Sequence, residues 1–284
     1  MVEIIECPRD AMQGIKTAIP TQTKVEYINS LLKVGFDTID FGSFVSPKAV
    51  PQMADTAAVL KQLDLDSTTS KLLAIVANKR GAEDACAFDQ IDFLGYPFSI
   101  SETFQQRNTN ASIAESLHRV EEIKLLADQH KKRVVIYISM AFGNPYGDEW
   151  HPGIAAKWAN ELHNDLGIDI IALSDTVGTS DKLSITDLFS TLITELPEVN
   201  FGAHLHTTPS SWREKVEAAY KAGCRRFDGA IKGFGGCPMA ADDLTGNMAT
   251  ENILSYLDEV NAKTNVNTGR FSESMALSAS VFPD

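Results

Sequence analysis

The sequence is poor in cysteine, and its four cysteines (Cys7, Cys86, Cys224 and Cys237) stand apart with no CxxC spacing. That excludes a disulfide framework and fits a reducing cytosol. No apolar run is long enough to cross a bilayer. Met1-Val2-Glu3 leads straight into a structured pattern without the layout of a signal peptide, so a cytoplasmic protein is expected. There is also no long block of like charge. A net charge of −13 spread over 284 residues argues against nucleic acid and membrane as partners. An anionic small substrate would then need a local positive site, either a metal or a few placed cations. No linker, low-complexity segment or shift of composition marks a boundary, so one domain over residues 1–284 is expected. With 44% hydrophobic residues the chain can bury a large core.

Short apolar runs alternate with helical patterns along the whole length. Strands are predicted at 2–7, 38–44, 71–77, 90–96, 133–141, 168–174, 200–206 and 225–231. Helical periodicity follows at 23–34, 51–63, 81–88, 112–130, 152–166, 185–196, 212–221 and 250–261. Pro8-Arg9-Asp10 reads as a charged break after the first strand. Strand–helix units repeating at roughly thirty residues predict an α/β protein, a single (β/α)₈ barrel. A doubly wound open sheet is the alternative, weakened by the lack of GxGxxG after the first strand.

In such a barrel the active site lies at the carboxyl ends of the strands. The stretch Asn200–Thr207 ends in His204 and His206. Side chains two apart on a strand share a face, with a rise of about 6.6 Å between them. Both imidazoles can therefore lean onto one ion, although a hydrogen-bonded interior pair would give the same spelling. The other strand ends deliver Arg9 and Asp10, then Asp40 and Ser43 with Lys48 beyond, then Asn78, Ser139 and Asp175. Strand 8 ends in Lys232 and opens into Gly233-Phe234-Gly235-Gly236-Cys237-Pro238, which runs on to Gly246-Asn247.

Two imidazoles with a carboxylate and an amide oxygen make a mixed N/O set suited to Mg²⁺, Mn²⁺ or Zn²⁺. The glycines after strand 8 either let backbone amides approach a phosphate or serve as hinges for a lid carrying Cys237. The lid is the favoured reading, because core packing explains poorly a cysteine set between Gly-Gly and Pro. Cys7, Cys86 and Cys224 are read as structural.

Taken together, these stretches resemble the 3-hydroxy-3-methylglutaryl-CoA lyases, among the metal-dependent barrel lyases and aldolases. The resemblance is carried by residues 8–13, 43–53, 174–178, by His204-Leu205-His206, and by 233–238 running on to 246–251, all in family order. It implies a divalent metal held by Asp10, His204, His206 and Asn247. Arg9 would stabilise a thioester enolate and Cys237 would transfer a proton from the lid. Asp40 stands where the lyases look to carry glutamate, and Asp175 would assist proton movement near the substrate hydroxyl. Gln13, Ser43, Lys48, Asn78, Lys232, Gly235 and Gly236 would contact substrate. The implied reaction cleaves 3-hydroxy-3-methylglutaryl-CoA to acetyl-CoA and acetoacetate, and a homo-oligomer is expected.

The chain departs from the family pattern at Ala11, at Thr207-Thr208-Pro209-Ser210, at Met239, at Lys232 and at Ile5. Lys232, pointing inward by strand alternation, would add a cation to the pocket. Two other readings keep the metal site: an aldolase or Claisen-type enzyme acting on a 2-oxo acid without CoA, and a catalytically silent metal-binding barrel.

Overall fold

A computed structural model describes residues 1–236 and 245–282. Eight parallel strands form its centre: β1 (Glu3–Glu6), β2 (Thr38–Ser43), β3 (Lys71–Ile75), β4 (Phe93–Ser99), β5 (Arg133–Ser139), β6 (Ile170–Asp175), β7 (Asn200–Thr207) and β8 (Arg226–Gly229). Each pairs with its sequence neighbour, and β8 pairs back onto β1 with Phe227 opposite Ile4. The ring is closed, a (β/α)₈ barrel, and closure removes the open edge that a twisted sheet would otherwise expose.

Alternation along the strands sorts apolar residues into two cores. Leu73, Ile75, Val135, Tyr137, Ile170 and Ala172 fill part of the interior. Their neighbours Leu72, Ala74, Val134, Ile136, Ile171 and Leu173 face outward into the larger core beneath the helices. Burial on both faces is why these strands read as unbroken apolar runs.

The helices that return the chain include α2 (Thr21–Leu32), α3 (Thr56–Leu60), α4 (Lys79–Cys86), α6 (Ile113–Gln129), α7 (Pro152–Asn164), α8 (Lys182–Glu195), α9 (Trp212–Lys221) and α10 (Thr250–Glu259). Among the described residues none is long and apolar enough to cross a membrane. Cys7, Cys86 and Cys224 are buried and free.

Three helices were not expected. The break at Pro8-Arg9-Asp10 is the first turn of α1 (Pro8–Gln13), entered through a proline, whose fixed φ suits that position. α5 (Glu102–Thr109) has little apolar periodicity and is built from its ends. Ser101 caps it, and Asp148 accepts from the Thr103 N–H at 2.9 Å and the Thr103 hydroxyl at 2.8 Å. α11 (Thr268–Ser278) packs on α2 and buries Phe271, edge-on to Phe36. The fourth strand also begins three residues later than expected, at Phe93.

A two-residue strand, β9 (Gly246–Asn247), runs antiparallel to β7 and sets Asn247 opposite His206. On the other side, Glu6 ties β1 to both flanks of the same segment. Its two carboxylate oxygens accept from the Ile231 N–H at 2.9 Å and the Thr250 hydroxyl at 2.6 Å.

Candidate active site

The carboxyl ends of the strands surround a cavity of about 480 Å³. Arg9, Asp10, Gln13, Ser43, Asn78, His204 and His206 line it, all of them expected from the sequence. At its floor, donor atoms of Asp10, His204 and His206 lie within 4.8 Å of one another.

Arg9 and Asp10 leave β1 on the first turn of α1, which turns both side chains inward. Arg9 Nε and Nη2 donate to the Asp40 carboxylate at 3.0 and 2.5 Å, while Nη1 donates to Asp10 at 3.0 Å and to Gln13 at 2.9 Å. A guanidinium has five N–H donors. Four are committed among the described residues, which leaves one on Nη2. Burial alone would weaken the Arg9 charge, but the Asp40 and Asp10 carboxylates outweigh it and hold Arg9 firmly cationic. Burial pushes the Asp40 carboxyl up to about 6 despite its guanidinium partner.

Burial would also raise Asp10, yet Arg9, then His204, then the Asn247 amide overcome it and hold Asp10 below the usual carboxylate range. Asn247 Nδ2 donates to Asp10 Oδ2 at 2.7 Å. Asn247 Nδ2 also donates to the Phe234 carbonyl at 2.8 Å, so offering its amide oxygen to an ion would take a half-turn of the amide that gives up both hydrogen bonds. Gly235 packs behind this pair with φ +90°, and a Cβ there would meet Asp10 O at 2.8 Å and Asn247 Nδ2 at 2.9 Å. Only glycine fits.

The two histidines differ electrically. Burial and the neighbouring His204 push His206 down to about 4, so it is a neutral imidazole with a free lone pair. Burial would lower His204 too, but Asp228 outweighs it and raises the group. With its proton on Nδ1, His204 donates to Asp228 Oδ2 at 3.2 Å and turns Nε2 to the shared centre. Arg226 holds the other oxygen of Asp228 at 2.8 Å, and Gly202 makes room, since a Cβ there would come within 2.5 Å of the Arg226 Nη1. One carboxylate, two imidazoles and one amide form a mixed N/O set. It suits a divalent cation, and the Asp10 charge and neutral His206 are already in the states that ligation requires.

Several expected site residues lie elsewhere. Asp175, expected to move protons, is buried outside the cavity wall. Its carboxylate accepts from the Ser180 hydroxyl at 2.5 Å and from Lys215 Nζ at 2.6 Å. Lys215 also donates to the His206 carbonyl at 2.9 Å, so Asp175 and Lys215 together pin the end of β7. Lys232, expected to point inward, is exposed and outside the cavity wall. Its φ is +61°, and this left-handed residue breaks the strand alternation on which the expectation rested. Lys48 is exposed beyond the lining residues Ser46 and Ala49. Asp40, Gly235, Gly236 and Asn247 stand behind the wall rather than on it. Cys237 lies outside the described residues.

Other wall residues were missed: Tyr137, Ser174, Thr176 and the run 107–110 at the end of α5. The Tyr137 ring meets His204 edge-on at 5.4 Å. Asp228 and Arg226, two apart on β8, carried a usable signal, a paired charge inside an otherwise apolar strand.

A closed parallel barrel with this donor set at the carboxyl ends of its strands defines a barrel enzyme with a candidate site for a divalent metal. The chain belongs to the HMGL-like family, whose model matches residues 2–277. It is 35% identical over 268 residues to the cytoplasmic 3-hydroxy-3-methylglutaryl-CoA lyase of Danio rerio, covering 93% of this chain and 78% of that protein. It is 34% identical to a 3-hydroxy-3-isohexenylglutaryl-CoA/hydroxymethylglutaryl-CoA lyase of Pseudomonas aeruginosa, over 93% of this chain and 87% of that one. Among solved structures it is similar to the HMG-CoA lyase of Brucella melitensis, with a TM-score of 0.92 at 29% identity over 100% and 99% of the two chains.

Proposed function

We propose that the protein is a divalent-metal-dependent carbon–carbon lyase that cleaves 3-hydroxy-3-methylglutaryl-CoA to acetyl-CoA and acetoacetate. The observation that carries this reading is the convergence of Asp10, His204 and His206 beside a fixed Arg9 at the cavity floor, in a chain of the HMGL-like family. The lyase names of the relatives support it.

Cleavage removes the proton of the tertiary alcohol and breaks the bond between C2 and C3. The electron pair passes to C2 as a thioester enolate, and C3 becomes the ketone of acetoacetate. Asp10, His204, His206 and Asn247 would hold the metal. A divalent ion there, Mg²⁺ or Mn²⁺ by this reading, supplies Lewis acidity toward the alcohol and carboxylate oxygens of the substrate. Arg9 offers its remaining N–H to the enolate oxygen. Asp40 keeps the guanidinium plane in place, so no reorganisation is needed as charge develops. Protonation of C2 then gives acetyl-CoA, with the Cys237 thiol as the donor that the sequence likeness favours.

The test is direct. Protein stripped with chelator and reloaded with Mg²⁺ or Mn²⁺ should convert the CoA thioester to equimolar acetyl-CoA and acetoacetate, measured by chromatography. Absence of both products with Mg²⁺, Mn²⁺ and Zn²⁺ alike would refute the assignment.

A further inference from the structure

β5 and β6 end side by side, with Ile138 opposite Leu173 and the Ala141 N–H donating to the Ser174 carbonyl at 3.2 Å. Ile138 and Leu173 face outward into the core beneath the helices, whereas Tyr137 and Ala172 face the interior. One step further along, alternation turns Ser139 and Ser174 inward, and both line the cavity. Two other hydroxyls on the wall are occupied: Ser43 donates to the Ile75 carbonyl at 3.3 Å, and Thr176 accepts from the Met140 N–H at 2.9 Å. The hydroxyls of Ser139 and Ser174 have no hydrogen-bond partner among the described residues, although these serines are only 7% and 4% exposed. Hydroxyls so enclosed are ordinarily partnered. Ser174 stands beside His204 in the sheet register, and β5 lies across the ring from β1, the strand that leads into Arg9.

We propose that Ser139 and Ser174 donate to the free carboxylate of the acyl group, so that this wall selects acyl chains that end in a carboxylate. The inference rests on the acyl-CoA reading above. Arg9 takes the enolate oxygen at the thioester end, on the β1 side. With its alcohol at the Asp10–His204–His206 centre, the acyl chain then carries its far carboxylate away from Arg9, toward β5 and β6. Rotation about one Cα–Cβ bond turns either hydroxyl to that carboxylate. In an enclosed site, hydrogen bonds from a hydroxyl to a charged acceptor are stronger than those between neutral groups. The competing account is that the two serines are small spacers that keep the cavity open. That role would be blind to the charge at the end of the chain.

The experiment compares two thioesters, 3-hydroxy-3-methylglutaryl-CoA and 3-hydroxy-3-methylbutyryl-CoA, which is the same molecule without the free carboxylate. In the metal-loaded protein, Ser139→Ala with Ser174→Ala should lower kcat/KM for the first by about tenfold or more, the scale of a lost hydrogen bond to a charged group. The inhibition constant of the second, used as a competitive inhibitor, should stay within about twofold of the parent value. Each single variant should fall between parent and double variant. An unchanged kcat/KM, or an equal loss for both thioesters, overturns the proposal. Without ligand the double variant should be as stable as the parent in urea, because no hydrogen bond within the protein is lost. A clear drop in stability would give the hydroxyls protein partners and would overturn it as well. If the parent does not cleave the first thioester, the lyase reading fails by itself. Calorimetry with the two thioesters then decides the serines: the parent should prefer the one with the carboxylate, and the double variant should lose about tenfold of that preference. No preference in the parent, or one kept in full by the variant, sinks it.

Discussion

Asp228 stands 3.2 Å from the Nδ1 of His204 on one side and 2.8 Å from Arg226 on the other. This carboxylate fixes which nitrogen of His204 faces the cavity, and the arginine fixes the carboxylate. Groups that orient a ligating imidazole in this way commonly govern affinity by about 10–100-fold.

Asp228→Asn should therefore weaken divalent-metal binding by about that factor in calorimetry, and it should destabilise the protein because Arg226 loses its buried partner. Adding Arg226→Met removes the stray charge. The double variant should regain stability yet keep the weak metal affinity. Parent-like affinity in Asp228→Asn would mean that His204 is oriented by something else.

The Asp175–Lys215 pair predicts a different pattern. Its members are almost fully enclosed, with side-chain exposures of 1% and 4%. Removing one member of such a pair strands the other and costs about 3–5 kcal/mol. Lys215→Met should lower stability on that scale in urea titrations, and Lys215→Met with Asp175→Asn should recover much of it. A single variant as stable as the parent would show that the pair has no structural role.

Arg9→Lys should leave metal stoichiometry intact and lower kcat by roughly 10²-fold, the loss expected for one oriented donor to a developing anion. Lysine keeps the charge but cannot span Asp40 and Asp10 with a planar fork. Turnover within a few-fold of the parent would remove Arg9 from the enolate.

Glu6 predicts a pH effect. Burial pushes it up to about 8 from its ordinary value of 4.5, against the opposing hydrogen bonds from Thr250 and Ile231. The folded state binds this proton more tightly than the unfolded chain, so the contribution of Glu6 is fully present below pH ~4.5 and is lost as pH rises through about 8. Glu6→Gln should flatten the decline of stability over that window, with the largest gain near pH 8. Identical pH–stability curves for parent and variant would remove Glu6 as the cause.

The barrel was legible because alternating apolar runs and helical patterns repeat along the chain, and strand-end chemistry then placed Arg9, Asp10, His204 and His206 without further information. What stayed hidden depends on distant contacts or on departures from regular geometry. α5, capped locally by Ser101, also relies on Asp148, 45 positions away, to accept from the Thr103 N–H. Lys232 turns outward because its φ is positive, which alternation cannot anticipate. Asp175 faces Lys215, a partner 40 positions away on the next helix but one. Charged pairs inside apolar elements, such as Arg226 with Asp228, were the signal left unused.

The contact between Asp10 and Asn247 joins residues 237 positions apart. No partial barrel can hold this donor set, because β1 must meet β8, and β9 must reach β7, before the fourth donor arrives. Contacts this distant in sequence form late and slow folding. If these residues hold the proposed ion, the complete four-donor set exists only after the last strand has docked. From then on a bound ion would help hold the ring shut, each tenfold excess of free ion over its dissociation constant adding about 1.4 kcal/mol.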